Sequence, residues 1–251
     1  YVRTMNSGRW FGINENEQYT PASLFKVFMM MAYLKADEYN PGILEKNLTY
    51  TSANKPSGNQ HIVGDIQLGN SYSTRTLIEK MVEISSNAAL NVLTDNMNSD
   101  VKKALKDIFS DLNIALPASQ KEDDLEIMSA KTYSLIFRVL FGATHLNREN
   151  SEIALEMLSK SDFTEGLPSG VPSSIPVAHK FGAHSFTSAH GTEKTYELHN
   201  CGIIYYPDHP YLLCVMTKGY SYETLTKVIS EISKNIYEQM DVFYRESLTR
   251  D

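Results

Sequence analysis

Hydrophobic residues recur at different intervals along the chain, and each interval predicts a different kind of element. Residues 1–13 contain two short β-type runs on either side of Asn6-Ser7-Gly8, a turn signal, and therefore predict a hairpin. Thr20-Pro21 is typical of a helix start. The apolar residues that follow it have helical spacing: Leu24, Val27, Phe28, Met31 and Leu34. Residues 40–72 are rich in Gly, Asn, Ser and Pro and predict a loop with short pieces of structure.

The middle of the chain has a mostly helical pattern. Apolar residues recur there at intervals of three or four, as on one face of a helix, in five groups: Leu77/Ile78/Met81/Val82, Ala89/Val92/Leu93/Met97, Val101/Leu105/Ile108, Leu135/Ile136/Val139/Leu140 and Ile153/Met157/Leu158. Residues 111–127 interrupt this pattern. Pro117 and the acidic run Glu122-Asp123-Asp124 predict a loop there.

The pattern changes again after Gly166, where glycines and prolines precede a β-rich region. Three strands are predicted, over residues 176–186, 195–206 and 211–218. Pro207-Asp208-His209-Pro210 is the turn signal between the last two strands. The chain ends in a long amphipathic helix with one apolar face: Leu225, Val228, Ile229, Ile232, Ile236, Met240 and Phe243.

This order of elements predicts an α/β plus all-α protein. Both ends of the chain supply one antiparallel five-stranded sheet flanked by helices, and the middle forms an inserted helical lobe. The predicted boundaries are 1–38 and 166–251 for the sheet lobe and 39–165 for the helical lobe. A cleft between two such lobes is where a site is expected.

Composition narrows the range of functions. The 251 residues carry a net charge of −7 and include 42% hydrophobic residues, which excludes disorder as the main state. No basic patch suggests nucleic acid as a partner, and no apolar stretch of about 18 residues suggests a membrane span. The chain starts at Tyr1 with a strand-like run, so we expect that a leader or anchor precedes it.

The two cysteines, Cys201 and Cys214, are too few for a disulfide framework or a four-ligand zinc site. Pairing the last hairpin around Pro207–Pro210 offsets them from each other, which predicts free thiols. The three histidines His179, His184 and His190 lack a recognised metal spacing, so no metal or other cofactor is expected.

Three short motifs carry candidate chemistry. Ser23-Leu24-Phe25-Lys26 places a lysine amine within reach of a serine hydroxyl on one helix face, and the N–H of Ser23 at the helix start is free to bind an oxyanion. Ser85-Ser86-Asn87 lies where one predicted helix ends and the next begins. Lys180-Phe181-Gly182 lies on the first C-terminal strand.

Each motif alone is weak. Ser52-Ala53-Asn54-Lys55 and Ser99-Asp100-Val101-Lys102 also fit S-x-x-K, and Ser57-Gly58-Asn59 also fits S-x-N. Ser85 can equally be a helix cap, and Lys180 a solvated strand lysine followed by a bulge glycine. The order S-x-x-K, S-x-N, K-x-G, in which the first residues of successive motifs are 62 and 95 positions apart, is far more specific.

This arrangement resembles the penicillin-recognising serine hydrolases, the class A β-lactamases and penicillin-binding proteins, over nearly the whole chain. Asn200-Cys201-Gly202-Ile203-Ile204 before the last hairpin is similar to the same family. The resemblance implies Ser23 as the nucleophile, with Lys26 as the base, directly or through Ser85. It implies roles for further residues, which are Lys180 in catalysis, Asn87 and Gly182 in substrate binding, and the Ala183 N–H in the oxyanion hole.

The sequence departs from the family pattern at positions that bind the substrate carboxylate. Phe181 stands where the family usually has Thr or Ser, and Cys201 where many class A enzymes have an arginine. His184 has the strand parity of Lys180 and is a candidate donor in their place, although an ordinary surface or edge-strand histidine is the more frequent case. In the 111–128 stretch no acidic residue is followed by x-x-L-N, so the family's deacylating glutamate is not recognised. Glu122 and Glu126 are the alternatives, or simply parts of a solvated loop.

The resulting prediction is an extracytoplasmic serine hydrolase that forms an acyl-enzyme with cell-wall-like peptides or β-lactams and turns over β-lactams poorly. Two alternatives stay open: a true β-lactamase with an unorthodox Ω-loop, and a non-hydrolytic domain that senses β-lactams or peptidoglycan. The expected partner is a small molecule or peptide, and we expect a monomer.

Overall fold

The computed structural model describes residues 1–56, 64–114, 127–187 and 194–248, the last four of them by backbone alone. The helices are α1 (Phe25–Tyr39), α2 (Thr74–Glu83), α3 (Asn87–Asp95), α4 (Ser99–Asp111), α5 (Ala130–Phe141), α6 (Arg148–Ser159) and α7 (Tyr222–Leu248). The strands are β1 (Val2–Thr4), β2 (Trp10–Phe11), β3 (Asn47–Thr49), β4 (Ser71–Ser73), β5 (Val177–Thr187), β6 (Lys194–Ile204) and β7 (Tyr211–Gly219). None of these helices is long and apolar enough to cross a membrane.

Five strands form one antiparallel sheet in the order β2-β1-β7-β6-β5. The predicted five-stranded antiparallel sheet with strands from both ends of the chain is therefore confirmed. Strands β3 and β4 form a separate two-stranded ribbon. In the large sheet β5 has a neighbour on one side only among the described strands, so it is an edge strand.

The chain divides into two compact units. The sheet unit comprises Tyr1–Ala22, Lys121–Ser134 and Phe163–Asp251, and the helical unit comprises Ser23–Gln120 and Leu135–Asp162. These limits differ from the sequence-based boundaries, because α1 falls in the helical unit and residues 121–134 fall in the sheet unit.

Helix α1 is the central helix of the helical unit. Every residue from Lys26 to Leu34 is buried, and a helix that is buried on all sides belongs to a core. Phe28 stacks on Phe109 of α4 with ring centroids 4.6 Å apart. This burial explains why α1 belongs with the helices that surround it and not with the sheet.

In the sheet unit, α7 packs against a 3-10 turn formed by Leu167–Gly170. A Cβ on Gly170 would lie 2.5 Å from the Cβ of Ser233, so only glycine permits this approach. The Ser233 hydroxyl donates to the carbonyl of Leu167 at 2.8 Å. The turn and the helix are thereby fixed together beside the strands that carry the third motif.

The β6–β7 turn begins one residue earlier than the sequence suggested. The His209 N–H donates to the carbonyl of Tyr206 at 3.0 Å, so the turn is centred one position before Pro207–Pro210. A turn displaced by one residue shifts the pairing by two, and Cys201 then lies directly opposite Cys214. The two cysteines form a disulfide, so the prediction of free thiols is wrong.

Candidate active site

Ser23 lies in a 3-10 turn, Ala22–Leu24, which leads directly into α1. Ala22, just before it, has φ = 47°, in the left-handed region that residues with a side chain rarely adopt. Backbone strain of this kind is frequent at functional sites. Ser23 is partly exposed whereas Leu24 is fully buried, so the hydroxyl sits at the accessible start of an otherwise buried helix.

Lys26 follows one helical turn later and is only 1% exposed. Its ammonium donates to the carbonyl of Ser85 at 2.5 Å, to the hydroxyl of Ser85 at 3.1 Å and to Oδ1 of Asn87 at 2.7 Å. Burial lowers the pKa of Lys26 to about 7, and the negative charge of Asp65 opposes this change. At neutral pH the amine is therefore partly deprotonated, as a general base must be.

The loop between α2 and α3 presents Ser85 and Asn87 to Lys26. Ser85 has φ = 55°, again in the left-handed region. The helix cap is its neighbour Ser86, whose hydroxyl accepts the N–H of Ala89 at 3.0 Å. The simple interpretation of Ser85 as a helix cap therefore does not hold, because the strained backbone directs its hydroxyl and carbonyl to the lysine instead.

In the sheet unit, Lys180 is fully buried on β5. Its Nζ lies 4.3 Å from the centroid of the Phe181 ring, within cation–π distance. Phe181 in turn stacks on Phe163 with centroids 4.3 Å apart. The residue that replaces the family's hydroxyl side chain therefore packs as an aromatic pair beside the lysine, and it offers a substrate no hydrogen bond.

Asn200, opposite Phe181 in the sheet, links three segments of the sheet unit. Its Nδ2 donates to the carbonyl of Lys180 at 3.1 Å and contacts Nδ1 of His179 at 2.8 Å, and its Oδ1 accepts the N–H of Leu167 at 2.7 Å. Burial and the charge of Lys180 lower the pKa of His179 to about 3. The His179 ring is therefore neutral, and its Nδ1 accepts the amide hydrogen of Asn200.

Gly182, Ala183 and His184 continue along the edge strand β5. Gly182 is buried and Ala183 is exposed. An edge strand presents backbone N–H and C=O groups to which an extended ligand can bind. The His184 ring meets Phe186 edge-on at 4.3 Å, and its buried Nε2 has no hydrogen-bond partner in the described part of the chain.

Two further buried residues of β6 were not recognised from the sequence. The carboxylate of Glu197 accepts the N–H of Thr20 at 3.1 Å, and Nε2 of His199 donates to the carbonyl of Thr20 at 3.1 Å. Nζ of Lys218 lies 3.2 Å from Glu197. Burial alone would raise the pKa of Glu197, but the nearby His199 and Lys218 side chains and the hydrogen bond from the Thr20 N–H outweigh it and lower the pKa.

Thr20 precedes Ser23 by three residues, so Glu197 and His199 hold both backbone groups of the segment that leads into the candidate nucleophile. The available sequence signal was a titratable pair two positions apart on a strand, which places both side chains on one face of the sheet.

The remaining candidate residues add little to the description of the site. Glu122 and Glu126, the alternatives for a deacylating group, lie outside the described residues, as does His190. In the part of the chain that the structure describes, no three His, Cys, Asp or Glu side chains gather into a metal-binding cluster. Cys201, at the position of the family's arginine, is held in the disulfide to Cys214.

Comparison with known proteins identifies the family of the chain. The chain matches the profile of the beta-lactamase enzyme family over residues 1–240. Comparison with curated protein sequences gives no match.

Several solved structures have the same fold at low sequence identity. A beta-lactamase from Chitinophaga pinensis is 17% identical, with 95% of this chain and 92% of that chain covered and a TM-score of 0.81. A beta-lactamase from Sphaerobacter thermophilus is 20% identical, with coverage of 96% and 90% and a TM-score of 0.77. A mutant of PBP-A, solved as an acyl-enzyme complex with penicillin G, is 17% identical, with coverage of 96% and 89% and a TM-score of 0.76.

Proposed function

The chain belongs to the beta-lactamase enzyme family, and on this basis we propose that it is a penicillin-recognising serine hydrolase that forms an acyl-enzyme on Ser23. Its substrates in this proposal are cell-wall-like peptides, and β-lactams acylate it as mimics of them. Acyl transfer needs a nucleophile, a base, oxyanion donors and a group that binds the substrate carboxylate. The motif residues are suited to the first three roles.

The observation that carries the proposal is the environment of Lys26. Its buried amine, with a pKa lowered to about 7, is hydrogen-bonded to both named residues of the second motif, Ser85 and Asn87. Two motifs that are separated by 62 residues in the sequence thus meet at one amine. A solvated surface lysine needs none of these contacts, whereas a lysine base needs desolvation and a fixed position.

The proposed reaction starts with transfer of the Ser23 hydroxyl proton to the neutral amine of Lys26, directly or through the Ser85 hydroxyl. The Ser23 oxygen attacks the substrate carbonyl, and the N–H groups of Ser23 and Ala183 stabilise the oxyanion. When the tetrahedral intermediate collapses, the amide C–N bond breaks, and Lys26 returns its proton to the leaving nitrogen. The products of this half-reaction are the Ser23 ester and a free amine.

Two groups that the family uses to bind the substrate carboxylate are missing, and their absence favours slow acylation. Phe181 has no hydroxyl, and Cys201 is occupied in a disulfide. Each missing hydrogen bond to a carboxylate weakens binding by about 1–3 kcal/mol. Lys180 is the cation retained from the family pattern, and we propose that it supplies the remaining electrostatic attraction.

We propose that the acyl-enzyme is also released slowly. Hydrolysis needs a base that activates water, and loss of such a base lowers the rate by about 10²–10⁴-fold. In the 111–128 stretch of the sequence, no acidic residue is followed by x-x-L-N, the pattern of the family's Ω-loop glutamate. This favours a protein that accumulates as its acyl-enzyme over an efficient β-lactamase.

The test is to incubate the protein with penicillin G and to locate any adduct by intact-mass measurement and peptide mapping. We expect one penicillin per chain on the peptide containing Ser23, and no adduct on Ser23→Ala. The matched control is Ser52→Ala, because Ser52 also lies in a 3-10 turn and is also followed by a lysine at the third position. An adduct that persists on Ser23→Ala would disprove the proposed mechanism.

Turnover of a chromogenic cephalosporin separates the proposed function from its rivals. A burst of about one equivalent followed by a slow steady state supports the proposal. Steady turnover near the typical enzyme value of about 10 s⁻¹ would identify a true β-lactamase, with Glu122 and Glu126 as the first candidates for its base. Binding without any adduct would identify a non-hydrolytic sensor.

We further propose that the protein works outside the cytoplasm as a monomer. The Cys201–Cys214 disulfide supports an oxidising compartment. Size-exclusion chromatography with light scattering tests the second point, and a mass of 28.3 kDa is expected.

A further inference from the structure

Ser86, the middle residue of the second motif, is fully buried and connects two segments of the helical unit. Its hydroxyl oxygen accepts the N–H of Ala89 at 3.0 Å, which caps helix α3. Its proton goes to Oδ1 of Asp65 at 2.5 Å. Because a hydroxyl has one proton to donate, this donor is fully committed to Asp65.

Asp65 belongs to none of the three motifs and lies 21 residues before Ser86. Its carboxylate is itself held in place, since Oδ1 also accepts the N–H of Ile66 at 2.7 Å, and Ile66 is buried. A hydrogen bond from a hydroxyl to a carboxylate is of the stronger, charge-assisted class. The carboxylate of Asp65 is therefore oriented toward the hydroxyl of Ser86.

Ser86 needs such support because both of its neighbours bind Lys26. Ser85 on one side is held at φ = 55°, a conformation that persists only when the surroundings impose it. Asn87 on the other side accepts from Lys26 through its side chain. The Ser86 N–H donates to the carbonyl of Lys80 at 3.1 Å, which fixes the backbone, and Asp65 fixes the side chain.

We infer that Asp65 is a positioning residue for acylation: through the Ser86 hydroxyl it holds Ser85 and Asn87 in place around the amine of Lys26. The negative charge of Asp65 also favours the ammonium form that donates to these acceptors. The catalytic consequence rests on the proposed function of Ser23 and Lys26, whereas the anchoring is a property of the helical unit and can be measured without substrate.

The kinetic test compares the rates at which a fluorescent penicillin acylates the wild type and variants of Asp65 and Ser86, at a pH above the pKa of Lys26. Asp65→Ala removes the acceptor and should slow acylation by about 10–100-fold, as small displacements of catalytic groups do. Ser86→Ala removes the same hydrogen bond from its other end and should have a similar effect. Asp65→Asn keeps an acceptor oxygen for Ser86 and should retain most of the rate.

The double variant D65A/S86D is the rescue. The aspartate at position 86 replaces the carboxylate that was removed at position 65. Aspartate is also a favoured helix cap. We expect the new carboxylate to accept the N–H groups of Ile66 and Ala89, which Asp65 and Ser86 accept in the wild type, so most of the lost rate should return. A double variant that is as slow as Asp65→Ala overturns the inference.

Asp37→Ala is the matched control. Asp37 is a half-buried carboxylate of the same unit, and its Oδ1 accepts the N–H groups of Gly42 and Leu44 at 3.0 and 3.2 Å. Asp37→Ala removes a comparable number of hydrogen bonds from another part of the same unit, so this variant should be acylated at the wild-type rate. If Asp37→Ala is slowed as much as Asp65→Ala, the effect is general destabilisation and the inference fails.

Amide hydrogen exchange gives a readout that needs no acylation. In Asp65→Ala the N–H groups of Ser86 and Ala89 should exchange faster than in the wild type, while those of α6 stay unchanged. If the wild type is never acylated, the proposed function fails, but this local change still supports the anchoring. Unchanged exchange at Ser86 and Ala89 contradicts the anchoring, whatever the kinetics show.

Discussion

Lys26 is subject to two opposing influences. Desolvation favours the neutral amine, whereas the acceptors on Ser85 and Asn87 and the charge of Asp65 favour the ammonium. A pKa of about 7 is the outcome, and it gives the side chain both forms at neutral pH. The ammonium organises the loop around it, and the amine is available to take a proton.

The acylation rate should therefore rise with pH through about 7, because only the neutral amine of Lys26 accepts the proton of Ser23. Lys26→Arg should remove nearly all acylation, since a guanidinium stays charged at these pH values. Rates of adduct formation with a fluorescent penicillin between pH 5.5 and about 9 are the measurement. Lys35→Arg on the same helix, where Lys35 pairs with Glu38, is the control that should leave the profile unchanged. A flat profile, or wild-type acylation by Lys26→Arg, places the base elsewhere.

Glu197 should stabilise the fold in a pH-dependent way. Its pKa is lower in the folded protein than in the unfolded chain, so its contribution is present above the unfolded pKa and is lost as pH falls through the folded one. Glu197→Gln should lower the free energy of unfolding by about 1–3 kcal/mol at pH 7.

The difference between the Glu197 variant and the wild type should shrink toward zero in acid, and urea unfolding at neutral and acidic pH measures it. Glu238→Gln removes a surface charge that only faces Lys234 on α7, so it should change stability little. An equal loss for Glu197→Gln at both pH values would contradict the electrostatic account.

Single residues were predictable from the sequence where the chemistry is local or the spacing is specific. Ser23 and Lys26 are three apart on one helix, and Asn87 follows Ser85 by two, so the motifs alone identify them. Asp65 had no such signal, and the one signal for Glu197 was its place two positions before His199 on a predicted strand. Their partners, Ser86 and Thr20, are brought to them by the fold, and a lone acidic residue in a sequence is most simply a solvated one.

At the scale of elements, the β6–β7 hairpin shows that moving a turn by one residue determines whether the disulfide between Cys201 and Cys214 can form. The predicted turn was displaced by one residue, and hairpin register depends on which residue begins the turn. Tyr206 begins it, and the positive φ of Asp208 at 58° follows from its place inside the turn. The sequence has no marker that separates this choice from the neighbouring one.

Loss of this disulfide should weaken the sheet unit. The cysteines are 13 residues apart, and closing a loop of this size in the unfolded chain contributes about 3 kcal/mol at most. The double variant Cys201→Ala/Cys214→Ala should therefore lower the free energy of unfolding by about 2–3 kcal/mol in urea. Dithiothreitol should destabilise the wild type and leave the double variant unchanged. Thiols that react with a colorimetric reagent before any reduction would show that the bond is absent.

Helix α1 shows that the sequence pattern can predict a helix without predicting how that helix is packed. Its period and its start signal predicted the helix, but the apolar stripe did not reveal that Met29 and Met30 are buried as well. A helix that is apolar all round belongs to a core, and this is why the predicted limit at residue 38 gave α1 to the sheet lobe while the structure gives it to the helical unit.

At the scale of the molecule, the three motifs are distributed over two compact units. Ser23, Lys26, Ser85 and Asn87 all belong to the helical unit, and Lys180 with its neighbours belongs to the sheet unit. The order of elements along the chain was sufficient to predict the five-stranded sheet, because two strands at the start and three near the end fit one antiparallel arrangement. The unit boundaries were not predictable, since they depend on packing that no local pattern records.

The position of β1 in the sheet has a consequence for biosynthesis. Val2 pairs with Leu213, and the amino group of Tyr1 donates to the carbonyl of Cys214 at 2.9 Å. Strand β1 can pair with β2 as soon as both are made, but its partner on the other side, β7, follows much later in the chain, so this part of the sheet closes only after β7 has been made. Contacts between such distant parts of a chain form slowly, and the edge of β1 that waits for β7 is unpaired and prone to aggregation during this interval.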